Sequence, residues 1–456
     1  REGLNNKVVV VVWIAREFRS QEMVEQSLDV FLRKMADYID VAKSMVNKWL
    51  PKDEKELEWW IKFRHPEDIF KKHATFLYCE IVFYIIGLLT FCHALRSGGR
   101  FPWLWFATIA HGLTVESLSY FLPDIDNFWH AQSMVMLFGQ RLPLHILLVY
   151  PAFLYVACVA VSHMHLRWWA EPFAVGLTAV LLDIPFDIIG VKLLWWTWHD
   201  DDPNIFDRHY WVPWTSYYFH ASFAASFALI FFGLRNMLCR PGLKYQSPGF
   251  FCEIPILIIT GLFSMPLGVL MFVPVYHPLH DSLGIHSEVC VLLFLAIYGI
   301  IIWSADRTPF DSARLSGSKL FNAITLTVIL HYAFYVYLVF CAKPQEINSI
   351  GYHQPIGNCN SPIDVKTPFG KVLKKNKFLC INHYHEDYFD FKCLKKLPDN
   401  NLEWYTICGN PYQNHWEYII VVCAFCFLGL FWFWQLLSRS GRLPQTRLAR
   451  GKQHRD

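Results

Sequence analysis

Runs of apolar residues about twenty long recur along this chain, and they limit its fold more tightly than any other feature. At 1.5 Å of rise per residue, such a run crosses roughly 30 Å of hydrocarbon as a helix. Inside lipid a backbone must satisfy its own hydrogen bonds, which leaves helices as the natural form for isolated runs of this length. Composition agrees: of 456 residues 54% are hydrophobic and only 17% charged, whereas soluble domains carry about a quarter charged residues. The expected fold is all-α, a polytopic transmembrane bundle of about nine spans. They lie near 75–95, 102–122, 143–162, 171–195, 214–234, 250–273, 287–304, 319–341 and 417–437, with a half-helix at 132–142.

Five regions follow: 1–74 before the bundle, 75–341 with eight spans, 342–416 between the last two spans, 417–437 as the last span, and a basic tail at 438–456. Within the first, Met23, Val24, Leu28, Phe31, Met35, Tyr38, Ala42, Met45 and Trp49 recur at steps of three and four, as in an amphipathic helix. Trp59 and Trp60 suit a headgroup belt. The net charge of +3 is small and its cations are scattered, so no nucleic-acid partner is expected.

Positive residues in short loops are retained on the cytoplasmic side. Arg96, Arg100, Arg167, Arg235, Arg240, Lys244, Arg307, Arg314 and Lys319 fall in one alternate set of loops, and the tail adds Arg439, Arg442, Arg447, Arg450, Lys452 and Arg455. The carboxyl end is therefore expected in the cytoplasm and 342–416 in the lumen or outside, in the endoplasmic reticulum or plasma membrane. An odd span count puts the amino end outside, which suits a processed leader upstream of Arg1. The 342–416 segment holds Cys359, Cys380, Cys393 and Cys408 on the oxidising side, and two disulfides are the economical reading. Four cysteines allow three connectivities, which spacing leaves open.

Ionisable groups within hydrocarbon cost several kcal/mol unless paired or hydrated, so each is a candidate for function. His111 and Glu116 fall in the second expected span, Gln140, Arg141 and His145 at a break before or within the third, and Asp183, Asp187 and Lys192 in the fourth. Asp183 and Asp187 share one helical face, and Pro185 between them frees backbone carbonyls nearby. The expected cleft lining is these ionisable residues with Trp196, Trp198 and His220. Three segments on one side, DIDNFWH at 124–130, WHDDDPNIFDRH at 198–209 and HPLHDSLGIH at 277–286, mix His with Asp as metal sites do. His199, His277, His280 and Asp281 are the weak metal candidates. Their spacing matches no established pattern, so no metal and no cofactor is expected.

The order HGLTVESLSYFLPDID, GQRLPLHILLVYPAFLYVA, LTAVLLDIPFDIIGVKLLWWTWH, YWVPWTSYYFHASF resembles the carotenoid-biosynthesis (bisanhydrobacterioruberin hydratase-like) membrane family over about 105–225. The resemblance nominates Glu116, Asp183, Asp187, Trp196, Trp198 and Pro213. In such chemistry a buried acid protonates a polyene, a base guides water, and tryptophan faces steady the cation. Animal multi-pass proteins with no assigned function look similar over a longer stretch. The four-cysteine segment, the HDDD insertion and the amphipathic start lie outside the hydratase-like pattern.

Two functions stay open. The favoured expectation is a non-enzymatic membrane subunit that binds or passes lipid, with a protein partner docked on the amino-terminal helix or the 342–416 segment. The alternative is a membrane enzyme on an isoprenoid or other apolar lipid, with Glu116, Asp183 and Asp187 as acid and base.

Overall fold

The computed structural model describes residues 54–122, 125–239, 242–306 and 322–441. The amphipathic stretch from Met23 to Trp49, Arg240, the basic segment at 307–321 and the tail from 442 lie outside the described residues. The chain divides into two compact units, Arg1–Trp60 and Ile61–Asp456. Of the first, the described part is helix α1 (Glu54–Trp60), where the Trp59 and Trp60 rings meet edge to face at 4.9 Å.

The second unit contains α2 (Pro66–Ser97), α3 (Phe101–Phe121), α4 (Ile146–Ser162), α5 (Glu171–Lys192), α6 (Trp214–Leu238), α7 (Phe250–His277), α8 (Ser287–Ala305), α9 (Ala323–Cys341) and α10 (His415–Trp434). Local sequence sets several starts. Pro occupies the first turn of α2, α3 and α5, where its missing amide costs nothing, while Asn322 and Asn414 cap α9 and α10 by accepting from Thr325 N and Glu417 N. Among the described residues seven helices, α2 and α5 to α10, are long and apolar enough to cross a membrane. The chain is an integral membrane protein. Two of the nine expected spans fall outside that set. α3 has 21 residues but carries Thr108, His111, Thr114 and Glu116, and α4 is a shorter apolar helix with a π-turn at Pro151–Tyr155, where proline withdraws an amide from the ladder.

The half-helix expected at 132–142 does not form. Phe138, Gly139 and Gln140 take positive φ of 49°, 62° and 66°, a left-handed turn that no α-helix contains. That turn joins Val135–Leu137 to Leu142–Pro143, and Ile61–Phe63 adds a third antiparallel strand. At the same end, Phe128–His130 pairs with Trp196–Trp198.

Residues 342–416 form a strand-rich cap rather than a loose loop. Asn348–Tyr352, Trp404–Gly409 and Phe389–Asp390 make one sheet, and Pro362–Lys366 pairs with Val372–Asn376 in a hairpin. Two disulfides close it, Cys359–Cys380 and Cys393–Cys408.

Pro185 acts as its position predicts. It cannot donate to Leu181 O, and the Tyr332 hydroxyl on α9 donates there instead at 3.0 Å; His331 Nε2 donates to Leu182 O at 2.9 Å. Gly429 on α10 makes room for this, since a Cβ there would lie 2.1 Å from the Tyr332 hydroxyl. Near the other end of α3, Arg100 and Glu253 pair at 2.9 Å with both side chains fully buried, and the guanidinium also donates to Phe231 O. Arg100, assigned from sequence to a loop, is thus a packing element between α3 and α7.

Candidate functional site

α5 and α6 run antiparallel, and each brings two polar residues one turn apart to the same place. Asp183 faces His220, with Oδ2 and Nδ1 3.2 Å apart, and Asp187 Oδ2 accepts from Ser216 Oγ at 2.9 Å. His220 Nδ1 is also 3.0 Å from Ser216 O. Because a carbonyl only accepts, that nitrogen carries the proton in this arrangement. Ligand atoms of Asp183, Asp187 and His220 lie within 4.8 Å of one another, the one such His and carboxylate group among the described residues. Asp183 is fully buried and its oxygens meet no amide, hydroxyl or ammonium donor; they face the Asp187 carboxyl, with which a proton can be shared, and His220, which stands at ion-pair distance while aligned on the Ser216 carbonyl. The His220 side chain is 37% exposed and links the buried carboxylates to the outside of the bundle.

Of the other cleft residues expected from sequence, Trp196 joins this wall by packing its ring 4.9 Å from Phe186, one residue from Asp187. Glu116 belongs to a separate group. It accepts from the Tyr150 hydroxyl at 2.8 Å and faces His130 at 3.4 Å, beside a small pocket shared with Ser117, Tyr120 and Arg141. Gly112 admits the Tyr150 ring, which a Cβ would meet at 2.3 Å. His111 packs edge-on against Tyr150 at 5.7 Å, and His145 lies edge-on to Phe76 at 5.1 Å. His111 Nδ1 and both His145 nitrogens are buried without a hydrogen bond. Arg141 reaches Asp126 at 2.5 Å and stacks over Tyr120. Lys192 donates to Pro411 O at 3.0 Å and lies over the Tyr412 ring. Pro213 ends the strand that leads into α6.

The HDDD run has a different role, which is to anchor the cap. Asp200 Oδ1 accepts from the amides of His385 and Glu386, Asp201 from the amide and side chain of Asn376, and Asp202 Oδ2 from Lys375 Nζ at 2.7 Å. His199 Nε2 meets Gln354 at 3.2 Å, and Arg208 donates to Glu386 at 2.7 Å. Trp198 N donates to the Tyr388 hydroxyl. Burial pushes His199 down to about 3 and lifts the Glu386 carboxyl to about 8 against the pull of Arg208. His277 and His280 take one oxygen each of Asp281 at 2.8 Å, while His280 and His286 face Asp207. The residues considered as weak metal candidates therefore bind each other or the cap.

Sequence reasoning missed Ser216, Tyr150 and the cap residues Gln354, Lys375 and Glu386. Ser216 was legible in principle, since S-x-x-x-H on one span mirrors D-x-x-x-D on its neighbour. On the far side of α6, Tyr218, Met271, Val275, Phe294, Ile297 and Tyr298 line an apolar groove.

A family model described as a domain of unknown function (DUF7802) matches residues 40–438. No curated protein and no solved structure matches the chain.

Proposed function

We propose, for a chain that belongs to the DUF7802 family, that it is a membrane enzyme adding or removing water at an apolar lipid, with Asp183, Asp187 and His220 as its reactive group. The observation that carries this reading is the Asp183 carboxylate, fully buried against the Asp187 carboxyl and a part-exposed histidine, with no amide, hydroxyl or ammonium donor on either oxygen. A polar cluster kept only to lock helices together satisfies its members, because each unsatisfied buried group costs about 1–3 kcal/mol. An incomplete one is a place where a ligand or reacting atom completes the set. The likeness of 105–225 to hydratases supports the same reading.

The cap also bears on the choice. From sequence, the four-cysteine segment and the HDDD run favoured a partner-binding subunit, as surfaces without another purpose. Asp200, Asp201 and Asp202 are taken up by His385, Glu386, Asn376 and Lys375 of the same chain, which weakens that argument. The non-enzymatic lipid-binding reading keeps one observation in its favour, the apolar groove beside Tyr218, which suits an acyl or prenyl chain.

Within this proposal α3 and α4 also cross, giving nine spans. The cap lies in the lumen or outside, the carboxyl end in the cytoplasm, and the membrane is the endoplasmic reticulum or plasma membrane. The test is Asp187→Asn, which keeps an acceptor for Ser216 while removing a titratable carboxyl. The purified variant is expected to melt within a few degrees of wild type and to fail in rescuing cells that lack the protein. A variant that melts well below wild type yet rescues fully would refute catalysis and favour a packing role.

A further inference from the structure

Two carboxylates one helical turn apart within a bundle carry charge that something must neutralise, because an uncompensated buried ion costs several kcal/mol. The cations that the sequence offered are engaged elsewhere, Lys192 on Pro411 O and Arg141 on Asp126. That leaves His220, a shared proton, or a bound cation.

We propose that Asp183, Asp187 and His220 hold one divalent first-row transition ion of the zinc class, with an open position toward the exposed side of His220. This rests on the enzymatic reading and names what would activate its water. Three observations support it. Ligand atoms from the three side chains lie within 4.8 Å of one another, and Asp183 Oδ2 and His220 Nδ1 are 3.2 Å apart. That separation is close to the edge, about 3.3–3.5 Å, of a tetrahedron with bonds of roughly 2.0–2.2 Å. Independently of distance, the fully buried Asp183 carboxylate meets no amide, hydroxyl or ammonium donor, and its acidic neighbour Asp187 can occupy its lone pairs only by keeping a proton that a metal ion would displace. Asp187, the second acid, is oriented by Ser216 Oγ, as metal-binding carboxylates are held by hydrogen bonds behind them.

The donor set selects the ion. Two carboxylates and an imidazole are too few and too nitrogen-rich for calcium, which takes six to eight oxygens. Three protein ligands with an open place are the pattern of catalytic rather than structural zinc. Binding through Nδ1 requires the proton to move to Nε2, so the ring exchanges its contact with Ser216 O for the metal.

The full-length chain, purified in detergent without chelators, is expected to carry about one first-row ion per chain by elemental mass spectrometry. After chelator stripping, added Zn²⁺ or Mn²⁺ should raise the melting temperature and Ca²⁺ should not. Asp183→Asn, Asp187→Asn and His220→Gln should each lower bound metal at least roughly tenfold; where one fails to fold, the other two decide. Wild-type protein that carries no metal and shows no zinc-dependent shift would overturn the proposal, as would full occupancy in all three variants or a response to Ca²⁺ alone. The enzymatic reading fails separately. Metal-free wild type with a folded, inactive Asp187→Asn leaves a proton-sharing acid pair, whereas metal lost from a variant that still rescues removes catalysis and keeps the ion site.

Discussion

Replacing Lys375 with Met strips the buried Asp202 carboxylate of its cation. The pair is 2.7 Å apart, with side chains 6% and 1% exposed. At an effective dielectric near 20, attraction at that distance is about 6 kcal/mol, and desolvation cancels much of it. Removing one member of such a pair costs about 3–5 kcal/mol, because the other stays buried and charged. Asp202 keeps a hydrogen bond from Asn204 N at 3.0 Å, so the lower end, about 3 kcal/mol, is expected. In Lys375→Met with Asp202→Asn the charge is gone and the acceptor for Asn204 remains, so the cost falls to about 1 kcal/mol, about 2 kcal/mol less than in the single variant. Limited proteolysis of the cap in the purified full-length chain reads this directly, since cleavage tracks the open population when opening is fast. Cleavage should rise about a hundredfold in the single variant and about fivefold in the double. Wild-type resistance in the single variant, or a double as sensitive as the single, would refute the anchoring role of Asp202.

Cap docking should also depend on pH with two limbs. His199 is held below its usual range, so its contribution is complete above 6.5 and lost as pH falls toward about 3. Glu386 is held above its usual range, so its contribution is complete below 4.5 and lost as pH rises through about 8. Stability should therefore be highest between about 4.5 and 6.5, and Glu386→Gln should flatten the alkaline limb of melting temperature against pH. Non-reducing peptide mapping should recover Cys359–Cys380 and Cys393–Cys408, and loss of either bond should cost about 2–4 kcal/mol; free thiols under alkylating conditions would contradict this. Cysteines introduced at 235–250 should resist impermeant reagents in sealed cells while positions in 342–416 label, and labelling of the former would reverse the topology.

The helical bundle was legible in the sequence because hydropathy and length act locally, within one run of twenty residues. The number of disulfides was legible for a similar reason, an even cysteine count in one segment, but their pairing depends on a sheet that spacing does not encode. The D-x-x-x-D pair was read correctly as sharing one face, and Pro185 as freeing a carbonyl. That the carbonyl's new donor is Tyr332 was out of reach, because they lie 151 residues apart. The same limit explains the misplaced emphasis on the HDDD run. Its residue types announced that acids sought partners, yet metal and peptide partners look alike until the fold brings Lys375 and Asn376 across. Glu116 was grouped with the aspartates because all three fall in apolar runs that the sequence reads as spans; in space Tyr150 and His130 claim it.

The anchoring of the cap on 200–202 also fixes an order of events during synthesis. Asp202 and Lys375 are 173 residues apart and Asp200 and His385 185, so at about 5–20 residues per second the acidic triplet waits roughly ten to forty seconds for its partners. Each disulfide closes a short loop, with separations of 21 and 15 residues, and can form before docking. The segment made long after the acidic triplet is thus the one that completes this end of the bundle, and a chain stopped short of Lys375 leaves Asp202 without its buried ion pair.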